Sequence, residues 1–296
     1  MNSKEISYYK KAGEIASQVT SYAKKLIKPG MLLLEIADKI ESEVEKLGGK
    51  PAFPCNLSMN EIAAHYTPSY NDKTQAQGLL KIDFGVHVNG YIADTAFSMD
   101  LESSEENKKL IEASEQALHS ALNYVKENKT IKINEIGRII HHEITTRGFS
   151  PVRNLSGHSL DKNTIHAGIT LPNYDNRNEK VLEKGAYAIE PFATNGSGLV
   201  YDSSPSSIYR LEKVSGVRDM LARKILDFIQ EKYSTLPFCS RWIVREFSPR
   251  ALFSLSLLEK AGIIYQYPQL IEKSHKKVSQ SEHTFILNEK VEVTTN

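Results

Sequence analysis

The order of its predicted elements is the feature that most restricts the fold of this chain. Two amphipathic helices followed by extended segments occur over residues 1–100, and the same order returns over residues 103–202. In the first half, apolar residues recur at helical spacing over residues 6–26 and 33–47, and Pro29-Gly30 ends the first of these helices. The two stretches share no obvious sequence repeat. The order therefore predicts two structurally related halves.

The second half is followed by a segment of different character. Its own helices are predicted to begin with a capping box formed by Ser103 and Glu106, and to end with Gly148 after residues 133–146. Residues 211–268 then have a mainly helical pattern, and residues 281–286 alternate again as a strand. We therefore expect a main domain of residues 1–211 and 269–296 with a helical insertion at residues 212–268.

Composition and charge exclude several classes of protein. Apolar residues make up 40% and charged residues 25% of the 296 residues, as in folded globular proteins. The net charge is +1, so there is no broad positive field for nucleic acid. No apolar run approaches the roughly 20 residues of a membrane span, and the N-terminus lacks a secretory signal. Cys55 and Cys239 form no CxxC pair. We expect a cytoplasmic protein with reduced cysteines.

Two aspartates lie on a predicted β-hairpin over residues 79–99. Asn89-Gly90 accommodates the positive φ angles of a type I′ turn, and with these two loop residues Asp83 lies opposite Ala96. Because side chains alternate along a strand, Asp94 shares this face as a diagonal neighbour roughly 7–8 Å away. Two like charges among apolar neighbours repel each other unless a cation or proton compensates them. Spacing alone leaves two interpretations open, a metal site and a solvated hairpin face.

Further candidate ligands follow downstream. They are His158 after a glycine, His166 in an Ile-His-Ala-Gly segment, Glu190 in an otherwise apolar strand, and Glu282 before another histidine. A single histidine or glutamate in a strand is more often a hydrogen-bonded polar residue than a ligand. Individually each signal is weak, and only together do these residues match the pattern of a family.

Eight parts of the chain form an ordered set. They are Ala52-Phe53-Pro54-Cys55, Ala63-Ala64-His65-Tyr66-Thr67-Pro68, Lys81-Ile82-Asp83-Phe84-Gly85, Asp94, Gly157-His158-Ser159, Ile165-His166-Ala167-Gly168, Ala188-Ile189-Glu190 and Glu282-His283-Thr284. This set resembles the type II methionine aminopeptidases of archaeal type over nearly the whole chain. The resemblance implies an α+β pita-bread fold, in which two pseudo-symmetric helix-helix-strand halves surround an antiparallel sheet with a helical insertion. It also implies hydrolysis of the bond after an initiator methionine when the second residue is small.

By this resemblance, five side chains hold two divalent metal ions. Asp83 would bind one ion, His158 and Glu190 would bind the other, and Asp94 and Glu282 would bridge both. Oxygen-rich ligation of this kind suits Mn²⁺, Fe²⁺ or Co²⁺, and ligand type alone does not choose among them. Two ions that share carboxylates can ionise a water molecule between them and present hydroxide to a polarised peptide carbonyl.

The resemblance also implies catalytic and substrate-binding residues. Glu190 would receive the proton of the nucleophile, His166 would hydrogen-bond the scissile amide and stabilise the tetrahedral intermediate, and His65 would assist from the opposite side. The apolar slot for methionine would have four walls, which are Phe53, Ile165, Phe192 and Tyr267. Ser156 and Ile208 stand where eukaryotic type II enzymes have Asn and His, so details of the pocket are expected to differ.

Two other functions fit parts of the same pattern. An Xaa-Pro dipeptidase or aminopeptidase shares the fold and the ligands but needs a pocket for a proline ring, and the motif around His65 and the late insertion favour the methionine enzyme. A non-catalytic binding protein on the same scaffold would lack ligands, whereas all five are present here. The resemblance implies that the partners are nascent polypeptides with an N-terminal methionine, with the ribosome as a place of encounter. We expect a monomer that binds neither nucleic acid nor membrane.

Overall fold

The computed structural model describes residues 1–296 as seven helices and sixteen strands. The helices are α1 (Ser3–Leu26), α2 (Leu33–Lys46), α3 (Glu105–Glu127), α4 (Ile133–Thr146), α5 (Met220–Lys232), α6 (Ser240–Phe247) and α7 (Ala251–Lys260). The strands are β1 (Lys50–Pro51), β2 (Asn56–Met59), β3 (Ile62–Ala64), β4 (Leu79–Val88), β5 (Tyr91–Asp100), β6 (Ser150–Pro151), β7 (Ser156–Leu160), β8 (Thr170–Pro172), β9 (Gly185–Ile189), β10 (Phe192–Thr194), β11 (Val200–Leu211), β12 (Phe238–Cys239), β13 (Ile264–Glu272), β14 (Val278–Gln280), β15 (Glu282–Leu287) and β16 (Val291–Val293). None of the helices combines the length and the apolar character that a membrane span requires.

A nine-stranded antiparallel sheet forms the centre of the protein. Its main path runs β1-β4-β5-β15-β9-β7-β8, while β16 pairs with β15 and β2 pairs with β4. Two smaller sheets have the orders β14-β10-β6 and β12-β11-β13-β3. Because β15, from near the C-terminus, lies between β5 and β9, it joins the strands of the two halves into one sheet.

The two halves of the chain have matching elements. Helices α2 and α4 both contain 14 residues, and each leads into a two-residue strand. Each is also followed by a glycine in the left-handed conformation, Gly48 with φ +86° and Gly148 with φ +82°. Glycine suits these helix ends because other residues are strained at positive φ. The prediction of two related halves is confirmed.

The helices bury their apolar faces on one side of the large sheet. Helices α1 and α2 pack on β4 and β5 in a core that includes Ile36 and Phe84. Helices α3 and α4 pack on β9 and β15 in a second core that includes Ile140 and Phe285. Because side chains alternate along a strand, residues next to these core positions, such as Asp83, face the other side of the sheet.

Helices α5, α6 and α7 form a third core with β11 and β12. They lie in the chain between β11 and β13, which pair with each other in the four-stranded sheet. Residues 264–268, at the end of the segment with a mainly helical pattern, belong to β13, because they pair with β11 through contacts such as Tyr265 with Arg210.

The predicted start of α3 is wrong by one residue. Ser104, and not Ser103, caps the helix, since its hydroxyl accepts the N–H of Asn107 at 3.3 Å. The N–H of Ser104 donates to the carboxylate of Asp100, and Ser103 has a φ of +59°. Ser103 therefore lies in a turn before the helix and does not form a capping box with Glu106.

Candidate metal centre

The β4-β5 hairpin has the register that its turn predicts. Asp83 pairs with Ala96, as expected for a two-residue loop at Asn89-Gly90. Ala96 pairs in turn with Glu282 on β15. Neighbours across antiparallel strands point to the same face of a sheet. Asp83 and Glu282 therefore lie in one row across β4, β5 and β15.

Asp94 and His158 lie in the next row on the same face. Thr284 on β15 pairs with Ala188 on β9, and Ala188 pairs with His158 on β7. The hydroxyl of Thr284 donates to the main-chain oxygen of Asp94 at 2.8 Å and accepts the N–H of Asp94 at 2.7 Å. This row therefore crosses four strands, with a predicted ligand at each end.

Glu190 directly follows β9. Ile189, the last residue of that strand, pairs with His283, so the next position brings Glu190 beside Glu282. The five predicted ligands thus converge on one face of one sheet, although they are spread along the chain from residue 83 to residue 282.

Close packing of β7 against β9 requires a glycine next to His158. A Cβ atom on Gly157 would lie 2.2 Å from the main-chain oxygen of Ala188, a distance that real Cβ atoms do not adopt. Gly157 therefore allows the strand approach that brings His158 to the carboxylates.

The ligand atoms fall into two groups. Asp94, His158 and Glu282 each offer one atom within 4.8 Å of the others, and so do Asp83, Glu190 and Glu282. Glu282 belongs to both groups, as expected of a bridging ligand. The resemblance assigns Glu190 to the ion of His158, whereas in the structure its carboxylate lies with that of Asp83.

Burial and mutual repulsion make this cluster unfavourable without a compensating charge. Burial raises the pKa of Asp83 to about 7. Burial and then the charge of Asp83 raise the pKa of Asp94 well above its ordinary value, and burial followed by the neighbouring carboxylates does the same for Glu190 and Glu282. Burial also lowers the pKa of His158 to about 3, so its ring is neutral, as a metal ligand must be.

Four side-chain atoms of the cluster have no hydrogen-bond partner. They are Oδ1 of Asp83, Oδ1 of Asp94, Nδ1 of His158 and Oε1 of Glu282. Buried polar atoms are nearly always paired, so several unpaired atoms in one cluster require an explanation. Carboxylate oxygens with one imidazole are a donor set that Mn²⁺, Fe²⁺ and Co²⁺ accept. These residues therefore fit a site for divalent cations.

Gln280 joins two of the carboxylates and was not predicted. Its Nε2 donates to Oδ2 of Asp83 at 3.3 Å and to Oε1 of Glu190 at 2.9 Å. A glutamine carries no charge that would mark it in the sequence. Its position two residues before Glu282 is the one signal that could have indicated it.

A cavity of about 370 Å³ has all five predicted ligands in its lining, together with an apolar wall. All four predicted walls line it, namely Phe53, Ile165, Phe192 and Tyr267. Ile208 lines it as well, together with five apolar residues that sequence reasoning missed, which are Ala64, Leu155, Ile169, Pro237 and Leu270. This volume is within the usual range of small-molecule sites, so the cavity can hold an amino-acid side chain next to the cluster.

His65 lines this cavity with a strained backbone, at a φ of +64°. Its Nδ1 lies 3.1 Å from the main-chain oxygen of Pro268 and donates to it, because a carbonyl can only accept. Burial lowers the pKa of His65 to about 4, so the ring is neutral. Its Nε2 is therefore an unprotonated nitrogen that can accept a hydrogen bond from a bound molecule.

Two further side chains belong to this region, since His166 lines the cavity and Arg210 contacts Tyr267 in its wall. The exposed ring of His166 stands edge-on to that of His158, with the centroids 4.5 Å apart. Arg210, which sequence reasoning missed because it belongs to no motif, lies over the rings of Tyr265 and Tyr267 at 5.0 and 5.5 Å. Since a guanidinium is attracted to an aromatic face, Arg210 holds Tyr267 at the cavity wall.

Comparison with known proteins identifies the family. A model of metallopeptidase family M24 matches residues 7–219, a stretch that includes Asp83, Asp94, His158 and Glu190. The chain belongs to metallopeptidase family M24. The prediction made from the ordered motifs is confirmed at this level.

Relatives of this M24 metallopeptidase include methionine aminopeptidases. That of Methanocaldococcus jannaschii is 44% identical over 298 residues, which cover 98% of this chain and 99% of the relative. That of Pyrococcus abyssi is 46% identical over 290 residues, which cover 96% and 97%. The similarity thus extends over nearly the whole length of both proteins.

Solved structures confirm the fold of this M24 family member. A thermophilic Arx1 has a TM-score of 0.84 at 18% identity, and the match covers 99% of this chain and 91% of that one. The methionine aminopeptidase of Thermotoga maritima has a TM-score of 0.72 at 20% identity, with 100% and 98% covered. At these identities the likeness concerns the fold alone. The predicted α+β pita-bread fold is confirmed.

Proposed function

We propose that this protein is a methionine aminopeptidase that hydrolyses the peptide bond after the initiator methionine of nascent polypeptides when the second residue is small. The observation that carries this proposal is the convergence of five metal-ligand side chains beside one apolar cavity. Two methionine aminopeptidases, which are 44% and 46% identical to this chain over nearly its whole length, support methionine as the residue that is removed.

The five side chains would hold two divalent ions, and these are Asp83, Asp94, His158, Glu190 and Glu282. When bound, the ions would lower the pKa of a water molecule and polarise the scissile carbonyl. Glu282 is the first choice for a carboxylate shared by both ions, because it belongs to both groups of ligand atoms. We propose Co²⁺, Mn²⁺ or Fe²⁺ without choosing among them, since all three accept this donor set.

Three residues would handle protons and hydrogen bonds during the reaction. Glu190 would receive the proton of the attacking water, because it combines a carboxylate of raised pKa with a position in the ligand cluster. His166, which lines the cavity, would donate to the scissile amide region and stabilise its developing charge. His65 would face the substrate from the opposite wall through Nε2, since its Nδ1 is engaged by Pro268.

The methionine side chain would lie between Phe53, Ile165, Phe192 and Tyr267. Such an apolar lining favours a long unbranched side chain and opposes a charged one, because burying an unpaired charge costs several kcal/mol. Ile208 adds to the apolar character of this wall.

We further propose that the enzyme is of the archaeal, type II kind, with residues 1–211 and 269–296 as the catalytic domain and residues 212–268 as the inserted subdomain. Helices α5, α6 and α7 support this division, since they have an apolar core of their own. The enzyme would act as a monomer, because one chain supplies all the residues of the site. It would act in the cytoplasm, where nascent chains emerge from the ribosome.

The test compares two classes of peptide with protein loaded with Mn²⁺ or Co²⁺. The proposal predicts release of methionine from Met-Ala-Ser and little cleavage of Xaa-Pro peptides, with Glu282→Gln as an inactive control. Preferential cleavage of Xaa-Pro peptides would make the protein a proline-specific peptidase. Binding of both peptides without cleavage of either would favour a non-catalytic role.

A further inference from the structure

Gln280 is the one neutral side chain that bridges two of the proposed metal ligands. One nitrogen, Nε2, lies 3.3 Å from Oδ2 of Asp83 and 2.9 Å from Oε1 of Glu190. An amide nitrogen carries two hydrogens in a fixed plane, so each carboxylate can receive one of them. These two carboxylates come from different halves of the chain, on β4 and after β9.

Its main chain holds Gln280 firmly in place. The hydroxyl of Ser98 on β5 donates to the main-chain oxygen of Gln280 at 2.8 Å and accepts its N–H at 2.9 Å. Gln280 also pairs with Phe192 on β10, and only 1% of its surface is exposed. The main chain of Gln280 is therefore fixed by its strand, and burial limits the positions that its side-chain amide can take.

A neutral amide has a property that a basic side chain would lack at this position. A lysine or arginine would also bring the two carboxylates together, but its charge would neutralise them and compete with a bound cation. The amide occupies one oxygen of each carboxylate and leaves their negative charge intact. Oδ1 of Asp83 remains without a hydrogen-bond partner, and one carboxylate oxygen of Asp83 belongs to the ligand group of Glu190 and Glu282.

We infer that Gln280 is a positioning residue of the metal centre, which fixes the carboxylates of Asp83 and Glu190 in the orientation that a divalent cation requires. This inference rests on the proposed function, because it assumes that these carboxylates bind a cation. Residues that hydrogen-bond metal ligands typically contribute about tenfold to hundredfold to metal affinity.

The experiment measures the Mn²⁺ affinity of the full chain by competition with a fluorescent chelator. Gln280→Met keeps the length of the side chain and removes both hydrogen bonds, and it is expected to weaken Mn²⁺ binding about tenfold to hundredfold. Gln280→Asn keeps the amide but shortens it by one methylene group, so it cannot reach both carboxylates and should also bind Mn²⁺ more weakly. Melting curves in chelator report whether each variant is folded, and if the methionine variant does not fold, the asparagine variant carries the test.

Asn107→Leu is a matched control. Nδ2 of Asn107 also donates to two carboxylates, those of Asp100 at 2.8 Å and Glu102 at 3.4 Å, at the start of α3 and outside the ligand cluster. The Asn107→Leu substitution should lower the melting temperature of the protein without changing its affinity for Mn²⁺. Wild-type affinity in both Gln280 variants would overturn the inference, because Gln280 would then have a structural role alone. A wild-type protein that binds no Mn²⁺ would instead contradict the proposed function.

Discussion

Arg241 and Glu41 form a buried, bidentate ion pair. Nη1 of Arg241 donates to Oε2 of Glu41 at 2.7 Å and Nη2 donates to Oε1 at 2.8 Å, and no part of Arg241 is exposed. The same carboxylate accepts Nε1–H of Trp242 and the N–H of Cys55. Glu41 lies on α2 and Arg241 lies on α6. The ion pair therefore connects the α5–α7 segment with the first half of the chain.

Arg241 also contacts the segment that carries His65. Its Nε donates to the main-chain oxygen of Pro68 at 3.1 Å, and its Nη2 lies 3.4 Å from the hydroxyl of Thr67. One guanidinium therefore links the α5–α7 segment, helix α2 and the chain that follows a proposed catalytic histidine.

Arg241→Met is expected to lower the free energy of unfolding by about 3–5 kcal/mol, because it leaves Glu41 buried without its charge partner. Urea denaturation measures this change. The matched control is Arg245→Met, which removes a half-exposed partner of Asp38 and should cost no more than about 1 kcal/mol. Equal losses in the two variants would show that the buried pair has no special role in stability.

His87 should make the protein sensitive to acid. Burial, with a smaller contribution from Lys50, lowers the pKa of His87 from 6.5 to about 4. A histidine whose pKa is lower in the folded than in the unfolded protein favours unfolding in acid. The free energy of unfolding is therefore highest above pH 6.5 and decreases as the pH falls towards 4. Protonation would also remove the hydrogen bond that Nδ1 accepts from the N–H of Gly90.

Between about pH 7 and pH 5, the free energy of unfolding is therefore expected to fall by about 1–2 kcal/mol less in His87→Gln than in the wild type. Urea midpoints at the two pH values measure the difference. His141→Gln on the exposed face of α4 is the control and should follow the wild type. The same pH slope in His87→Gln and in the wild type would contradict the role of His87.

Tyr267→Ala should lower kcat/KM for Met-Ala-Ser by about tenfold to hundredfold, because it removes a wall of the proposed methionine pocket. The control is Tyr201→Ala, an exposed tyrosine outside the cavity whose ring meets that of His275. Steady-state kinetics with both variants check this prediction. Similar values of kcat/KM for the wild type and Tyr267→Ala would remove Tyr267 from the pocket.

Asp94→Asn should abolish turnover and lower the number of bound ions, because the amide that replaces this carboxylate carries no charge and is a weaker ligand. Elemental analysis after Mn²⁺ loading and a Met-Ala-Ser assay on the same sample provide both numbers. Full turnover with unchanged metal content would refute the assignment of Asp94 as a ligand.

Local chemistry made part of this structure predictable from sequence. The Asn89-Gly90 loop sets the hairpin register, and that register correctly placed Asp83 opposite Ala96. Helix α4 also has the predicted bounds, because Gly148 ends it and its apolar residues have helical spacing. Ser103 was misplaced as the cap because the N–H of Ser104 donates a hydrogen bond to the carboxylate of Asp100, which puts the start of α3 at Ser104, and this contact leaves no mark in the local pattern.

Contacts between distant segments could not be predicted in this way. The bond from His65 to Pro268 spans 203 residues, and the pair of Arg241 with Glu41 spans 200. Each depends on how the α5–α7 segment and β13 pack against the first half, which no local pattern encodes. Gln280 was missed for the same reason, since its role depends on two carboxylates from other strands.

The most direct test of the account is the position of bound ions in crystals of the protein loaded with Mn²⁺, located by anomalous scattering. The account predicts two ions beside the apolar cavity, with the Glu282 carboxylate between them and Asp83 and His158 on opposite sides. Crystals without an ion at this cluster, or with ions that Glu282 does not contact, would contradict it.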